Sequence, residues 1–186
     1  MKRFNDVSVI FMIAIISLVP FLYLTPASAQ QANRDAESKV TFQWAFGSIK
    51  NTSGGPQFEV ITRDTTLKTG DQIKFYIKVE NKCFVYLIYQ SSQGDLHVLF
   101  PYRLKLMAKY DYTSRHYYIP KGERWFELDE FTGTERFYLL ASAERLNDLE
   151  AFVNQYESVD KVNRTGLGGK VITEIRKLRR QHRKFK

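Results

Sequence analysis

The stretch Gln72-Ile73-Lys74-Phe75-Tyr76-Ile77-Lys78-Val79, continued past Glu80-Asn81-Lys82 by Cys83-Phe84-Val85-Tyr86-Leu87-Ile88-Tyr89, decides the fold class. In its first half Ile73, Phe75, Ile77 and Val79 fall on one side of an extended chain and Lys74, Tyr76 and Lys78 on the other, the period of a strand with one wet face. The second half is nearly unbroken apolar sequence, as a strand covered on both faces requires, and is read as the centre of the core. Asn81-Lys82 supplies the hairpin turn between them.

The same alternation recurs to either side. Val40, Phe42, Trp44 and Phe46 make a first strand starting near Lys39, and Phe58, Val60 and Ile61 a second beyond the loop Asn51 to Pro56. Downstream, Leu96, Val98 and Phe100 precede Pro101, Trp125, Phe126 and Leu128 follow the turn at Pro120-Lys121-Gly122, and Glu135 to Ala141 supplies another apolar strand. Gly94 and Gly133 are expected at turns that need a positive φ. Short strands, tight turns and no helices between them predict a mainly β chain, an immunoglobulin-like antiparallel β-sandwich.

After Ser142 the period lengthens. Asn147 and Glu150 have the spacing of a capping box with Leu146 as staple, and Leu149, Phe152, Val153 and Tyr156 share a helical face. Thr165-Gly166-Leu167-Gly168-Gly169 reads as a hinge, after which Val171, Ile175, Leu178, His182 and Phe185 recur at three or four residues. The sandwich is therefore expected to carry C-terminal helices, the last of them basic and amphipathic.

The N-terminus reads as a signal peptide: Lys2 and Arg3 lead, Val7 to Leu24 carries no charge, and Ala27-Ser28-Ala29 offers small residues for cleavage after Ala29. The expected organisation is 1–29 signal peptide, 30–38 polar leader, 39–165 sandwich with a short helix, and 166–186 glycine hinge and basic helix. Export is expected to place the protein in the periplasm, with release to the outside as the alternative.

Of 186 residues, 44% are hydrophobic and 15% aromatic, which suits one globular domain and excludes disordered and collagen-like classes. The net charge of +8 is unevenly placed. From Lys170 to Lys186 stand eight basic residues and Glu174 alone, whereas Gln30 to Gly169 is neutral, so the basic character belongs to the tail. Cys83, the single cysteine, excludes an internal disulfide and is read as a buried apolar residue.

Little in the sequence points to catalysis, cofactors or metals. Three isolated histidines and one cysteine lack metal-ligand spacing, and neither His97 nor His116 sits in a motif that would pair it with Cys83 as a nucleophile. Glu123, Glu127, Asp129, Glu130 and Glu135 cluster, and two of them facing across a cleft could serve glycoside hydrolysis, but alternating charge on an edge strand is the commoner meaning. Tyr102, Arg103, Tyr110, Tyr112, Arg115 and Tyr117 mix aromatic rings with cations, a composition that can stack on a ligand while holding an anion. Arg176, Lys177, Arg179, Arg180, Arg183 and Lys184 make the tail a second candidate surface, for a protein partner, anionic lipid or cell-wall polymer; export makes nucleic acid the weakest partner.

Several short motifs recur in a recognisable order: Thr69-Gly70-Asp71 with the Ile73 strand, Cys83 to Tyr89, Gly94-Asp95-Leu96, Leu99-Phe100-Pro101-Tyr102, Ile119-Pro120, and Gly133-Thr134-Glu135-Arg136 through Ser142. In this order and spacing the chain from Leu67 to Ser142 resembles the bacterial domain-of-unknown-function family 4384. Tyr102 stands where that family usually has Asn. The resemblance implies a β-rich accessory domain of envelope proteins, found also beside peptidase-like or kinase domains, with no established catalytic residues. The expectation is a non-catalytic interaction module of the cell envelope, with a surface binder acting through the basic helix as the alternative and a hydrolase a distant third.

Overall fold

The computed structural model describes residues 6–16, 40–62, 64–104 and 115–184. Tyr110, Tyr112, the cleavage site after Ala29 and the polar leader 30–38 lie outside the described residues. Among the described residues ten strands run in chain order: β1 (Asp6–Ile16), β2 (Phe42–Thr52), β3 (Gly55–Ile61), β4 (Thr65–Lys68), β5 (Gln72–Val79), β6 (Phe84–Gln90), β7 (Leu96–Phe100), β8 (His116–Ile119), β9 (Phe126–Glu127) and β10 (Gly133–Ser142). Two described helices follow β10, α1 (Asn147–Ser158) and α2 (Arg164–Lys184), with a short 3-10 turn at Lys161–Asn163 between them.

The strands form two sheets, ordered β4-β1-β10-β6-β7 and β3-β2-β5-β8, with β9 pairing β5. All pairings are antiparallel except β1 with β10, which is parallel. The apolar stretch read as the heart of a leader thus contributes its residues 6–16 as a strand inside the first sheet.

Strand alternation decides what each face meets. On β5, Ile73, Phe75, Ile77 and Val79 are buried while Gln72, Lys74, Tyr76 and Lys78 are partly open, as their two-residue period requires. The buried set shares one core with Phe46 and Ile61 of its own sheet and with Leu67, Val85, Leu87, Phe100, Phe137, Leu139 and Ala141 of the other. The opposite face of β6 and β10, carrying Tyr86, Ile88, Tyr138 and Leu140, joins a second core with Leu149, Val153 and Tyr156 of α1 and Val171, Ile172, Ile175 and Leu178 of α2. The unbroken apolar sequence of β6 is explained by this position between two cores.

Two local expectations are corrected. The capping box does not form: α1 begins at Asn147 with Leu146 in the cap position and no side-chain cap. The Glu150 carboxylate is taken elsewhere, accepting from the Tyr86 hydroxyl (2.7 Å) and from Arg145 Nε (3.1 Å) and Nη2. The glycine hinge is also absent, because α2 runs from Arg164 and Gly166, Gly168 and Gly169 lie in its first turns. Gly168 rests against Tyr156 and Leu96, and the four buried apolar residues that follow hold the helix to the sheet against glycine's poor propensity. Gly94 (φ 91°) and Gly133 (φ 144°) adopt the left-handed backbone their turns need.

Candidate functional site

Three surfaces bring polar and aromatic chemistry together. The first is the outer face of the β3-β2-β5-β8 sheet. Register puts Ile49 opposite Phe58, Gly47 opposite Val60 and Lys74, Ala45 opposite Tyr76, and Tyr76 opposite Tyr118, so these residues share one side. Phe58, Val60 and Tyr118 are 66%, 56% and 50% exposed. The Phe58 ring lies over Gly47, where an added Cβ would come within 2.6 Å of it, and meets Trp125 edge-on at 6.5 Å. Lys74 Nζ sits 5.4 Å from the Trp125 ring centre and 5.7 Å from that of Tyr118, and donates to the Gly122 carbonyl. Tyr76 and His116 flank Tyr118. Aromatic rings are thereby set in a row with an ammonium group anchored over two of them.

Of the residues expected in this region, Tyr102 is partly exposed, donates its hydroxyl to the Tyr118 carbonyl (2.8 Å) and carries Lys121 over its ring at 4.3 Å. Burial of the Tyr102 hydroxyl raises its pKa. Arg103 and Arg115 are exposed. Tyr117 is corrected: it pairs with Ile77 and packs on Phe100 (4.9 Å), on the core side, and Tyr118 takes the outward place. Phe58 and Trp125 were not anticipated. They are 67 positions apart in sequence and meet only because β2 and β5 lie between β3 and β9.

The second surface is a cleft of about 400 Å³ between the sheets. His97, Tyr89 and Phe137 are cross-strand neighbours on β7, β6 and β10 and stack as one wall, with centres 6.0 and 5.0 Å apart. Ile73, Phe126 and Leu128 face them, and Glu127, Asp129 and Glu135 bring three carboxylates to the lining. Glu135, only 6% exposed, accepts a 2.7 Å hydrogen bond from Tyr89. Burial raises its pKa, the Tyr89 hydrogen bond opposes the rise and the Asp129 charge adds to it; burial and Glu135 in turn raise that of Tyr89. An acid held toward its protonated form beside other carboxylates can donate a proton or receive a cation. Glu123 and Glu130 do not line the cleft.

The third surface is the solvent face of α2. Arg176, Lys177 and Arg180 are exposed and Arg179 is half-buried. Arg183 and Lys184 continue the helix. Lys177 is engaged by Glu174 (3.1 Å) and Asp148 (3.7 Å), and that hydrogen bond to Glu174 raises its pKa. The apolar stripe Val171, Ile175 and Leu178 is spent on the chain's own sheet.

Cys83 is buried, and burial pushes its thiol up to about 11. Among the described residues no group of three or more His, Cys, Asp or Glu could hold a metal ion, and no helix is long and apolar enough to cross a membrane.

With two sheets, a helical layer on one of them and an open aromatic face on the other, the chain defines a mainly antiparallel β domain capped by helices. Residues 66–145, from within β4 to just past the end of β10, match the family model described as Domain of unknown function (DUF4384), and this segment is similar to that family. No curated protein and no solved structure matches the chain.

Proposed function

We propose that this is an exported, non-catalytic β-sandwich of immunoglobulin-like type that serves as a protein-interaction module in the bacterial envelope, using the outer face of the β3-β2-β5-β8 sheet. The observation that carries the reading is the exposure of Phe58, Val60 and Tyr118 on one sheet face, when the outer face of the other sheet is buried under α1 and α2. Apolar side chains are costly to leave in water, and contiguous aromatic groups are the composition of interface centres, which polar groups surround as a rim. Lys74, Lys78, Lys121 and His116 give that rim, which favours a partner with acidic groups around an apolar patch.

The test is cross-linked capture from the native envelope with the parent protein and with Phe58→Ala/Tyr118→Ala. The parent is expected to retain a partner that the variant loses at an unchanged unfolding midpoint. Equal capture by both would overturn the reading. Osmotic release with an intact mass beginning at Gln30 is the expected result for a periplasmic, processed chain.

A second reading, attachment to anionic lipid or cell-wall polymer, is favoured by the exposed Arg176, Lys177 and Arg180 alone, since the apolar stripe of α2 is already buried. Such contact should weaken steeply between low and moderate salt, whereas the aromatic face should hold.

A further inference from the structure

We propose that the processed protein is a strand acceptor: with the leader gone, an extended apolar segment of a partner protein takes the place of β1, between β4 and β10 and parallel to β10. The inference rests on the reading of residues 1–29 as a cleaved leader.

The slot is defined by pairing. β1 runs parallel to β10 from Val7↔Gly133 to Ile16↔Ser142 and antiparallel to β4 from Asp6↔Lys68 to Val9↔Thr65. Among the described strands β4 has no other neighbour, so β1 alone joins it to the sheet. Cleavage after Ala29 removes that strand and leaves β4 and β10 two strand spacings apart, about 10 Å, too far for a hydrogen bond.

β4 is fixed from its other side: Leu67 is fully buried in the intersheet core, and the Lys68 amide donates to Asp71 Oδ2 (2.8 Å) while Asp71 Oδ1 accepts from the Asn51 amide (3.0 Å). The leader that remains, Gln30 to Ser38, offers only Ala32 and Ala36 as apolar residues, a poor replacement for an apolar strand. Meanwhile β10 carries the apolar run Phe137 to Ala141 along an unpaired edge, which is a template for another strand.

The occupant's chemistry follows from what β1 is. From Val9 to Ile16 every residue is apolar and none is Pro. Its first residues lie between two strands and the rest along β10 alone, so an incoming segment of about ten residues can dock on the β10 edge and then enter under β4.

The test begins by weighing the protein recovered from the envelope, then follows amide exchange in the mature chain. The probe is a peptide of residues 6–16 with a lysine tail, and its control has prolines at two central positions. A mass beginning at Gln30 is expected. Amides of β4 and β10 should then exchange roughly tenfold faster without peptide, slow with the probe and not with the control, while β6 stays unchanged. Full protection of β10 in the unliganded mature chain would overturn the proposal, as would no slowing at saturating probe, or protection that arises only with self-association. A mass beginning at Met1 overturns the leader reading, and the proposal with it, before any exchange is measured.

Discussion

At the scale of single residues, polar groups inside this chain act as brackets. Asp71, 3% exposed, receives the Asn51 and Lys68 amides and so ties the end of β2 to β4 across the two sheets. Asp71→Ala removes the carboxylate that accepts from both amides and is expected to lower stability by more than about 1 kcal/mol, read as a shifted denaturant midpoint at constant slope. A shift within error would remove the bracket role. Tyr86 works likewise, donating to Glu150 and accepting from the Leu146 amide (3.1 Å). Glu135 gives a pH signature. Its proton is held more tightly in the folded chain than in the unfolded one, so stability falls as pH rises from about 4 through the folded value and then levels. Glu135→Gln should therefore gain on the parent over that window, and a pH-independent difference would contradict the assignment. Cys83, with its thiol near 11, should resist iodoacetamide at pH 8 in the native state and react on unfolding. The Asp71 role was hidden in the sequence, where Thr69-Gly70-Asp71 reads only as a turn, because its partners include an amide twenty positions away.

At the scale of elements, the two-residue period of β5 and the unbroken apolar run of β6 were legible, since alternation and burial follow directly from strand geometry. The glycine stretch before α2 was not. Local propensity favours a break there, and only the contacts of Val171, Ile172, Ile175 and Leu178 with the sheet explain the helix. Ending the chain at Gly169, or Ile175→Ala at a fully buried position, should accordingly destabilise the whole domain, the latter by about 2–5 kcal/mol. Thermal unfolding of Ile175→Ala unchanged from the parent would show α2 to be an appendage. On the opposite sheet Gly47 and Phe58 form a coupled pair. Gly47→Ala should displace the ring and cost stability in the parent but little in Phe58→Ala, a non-additivity that a double-mutant cycle measures.

At the scale of the whole molecule, layering decides function. Sheet β4-β1-β10-β6-β7 is enclosed, by the other sheet on one side and the helices on the other, so the free surface with aromatic character belongs to β3-β2-β5-β8. The sequence pointed to tyrosines and cations near residues 102–118 without telling their faces apart; pairing in β8 turns Tyr117 toward the core and leaves Tyr118 outward, since neighbours in a strand face opposite ways. It could not assemble Phe58, Lys74, Trp125 and Tyr118, because strand order is not written in local pattern. The most direct test of the aromatic face is site-specific photo-cross-linking in the native envelope, with the photoreactive residue at Tyr118 or, as control, at exposed Asn154 on α1. The account predicts one discrete adduct from position 118 that is absent from 154 and abolished by Phe58→Ala. Adducts from position 154 with none from 118 would contradict it.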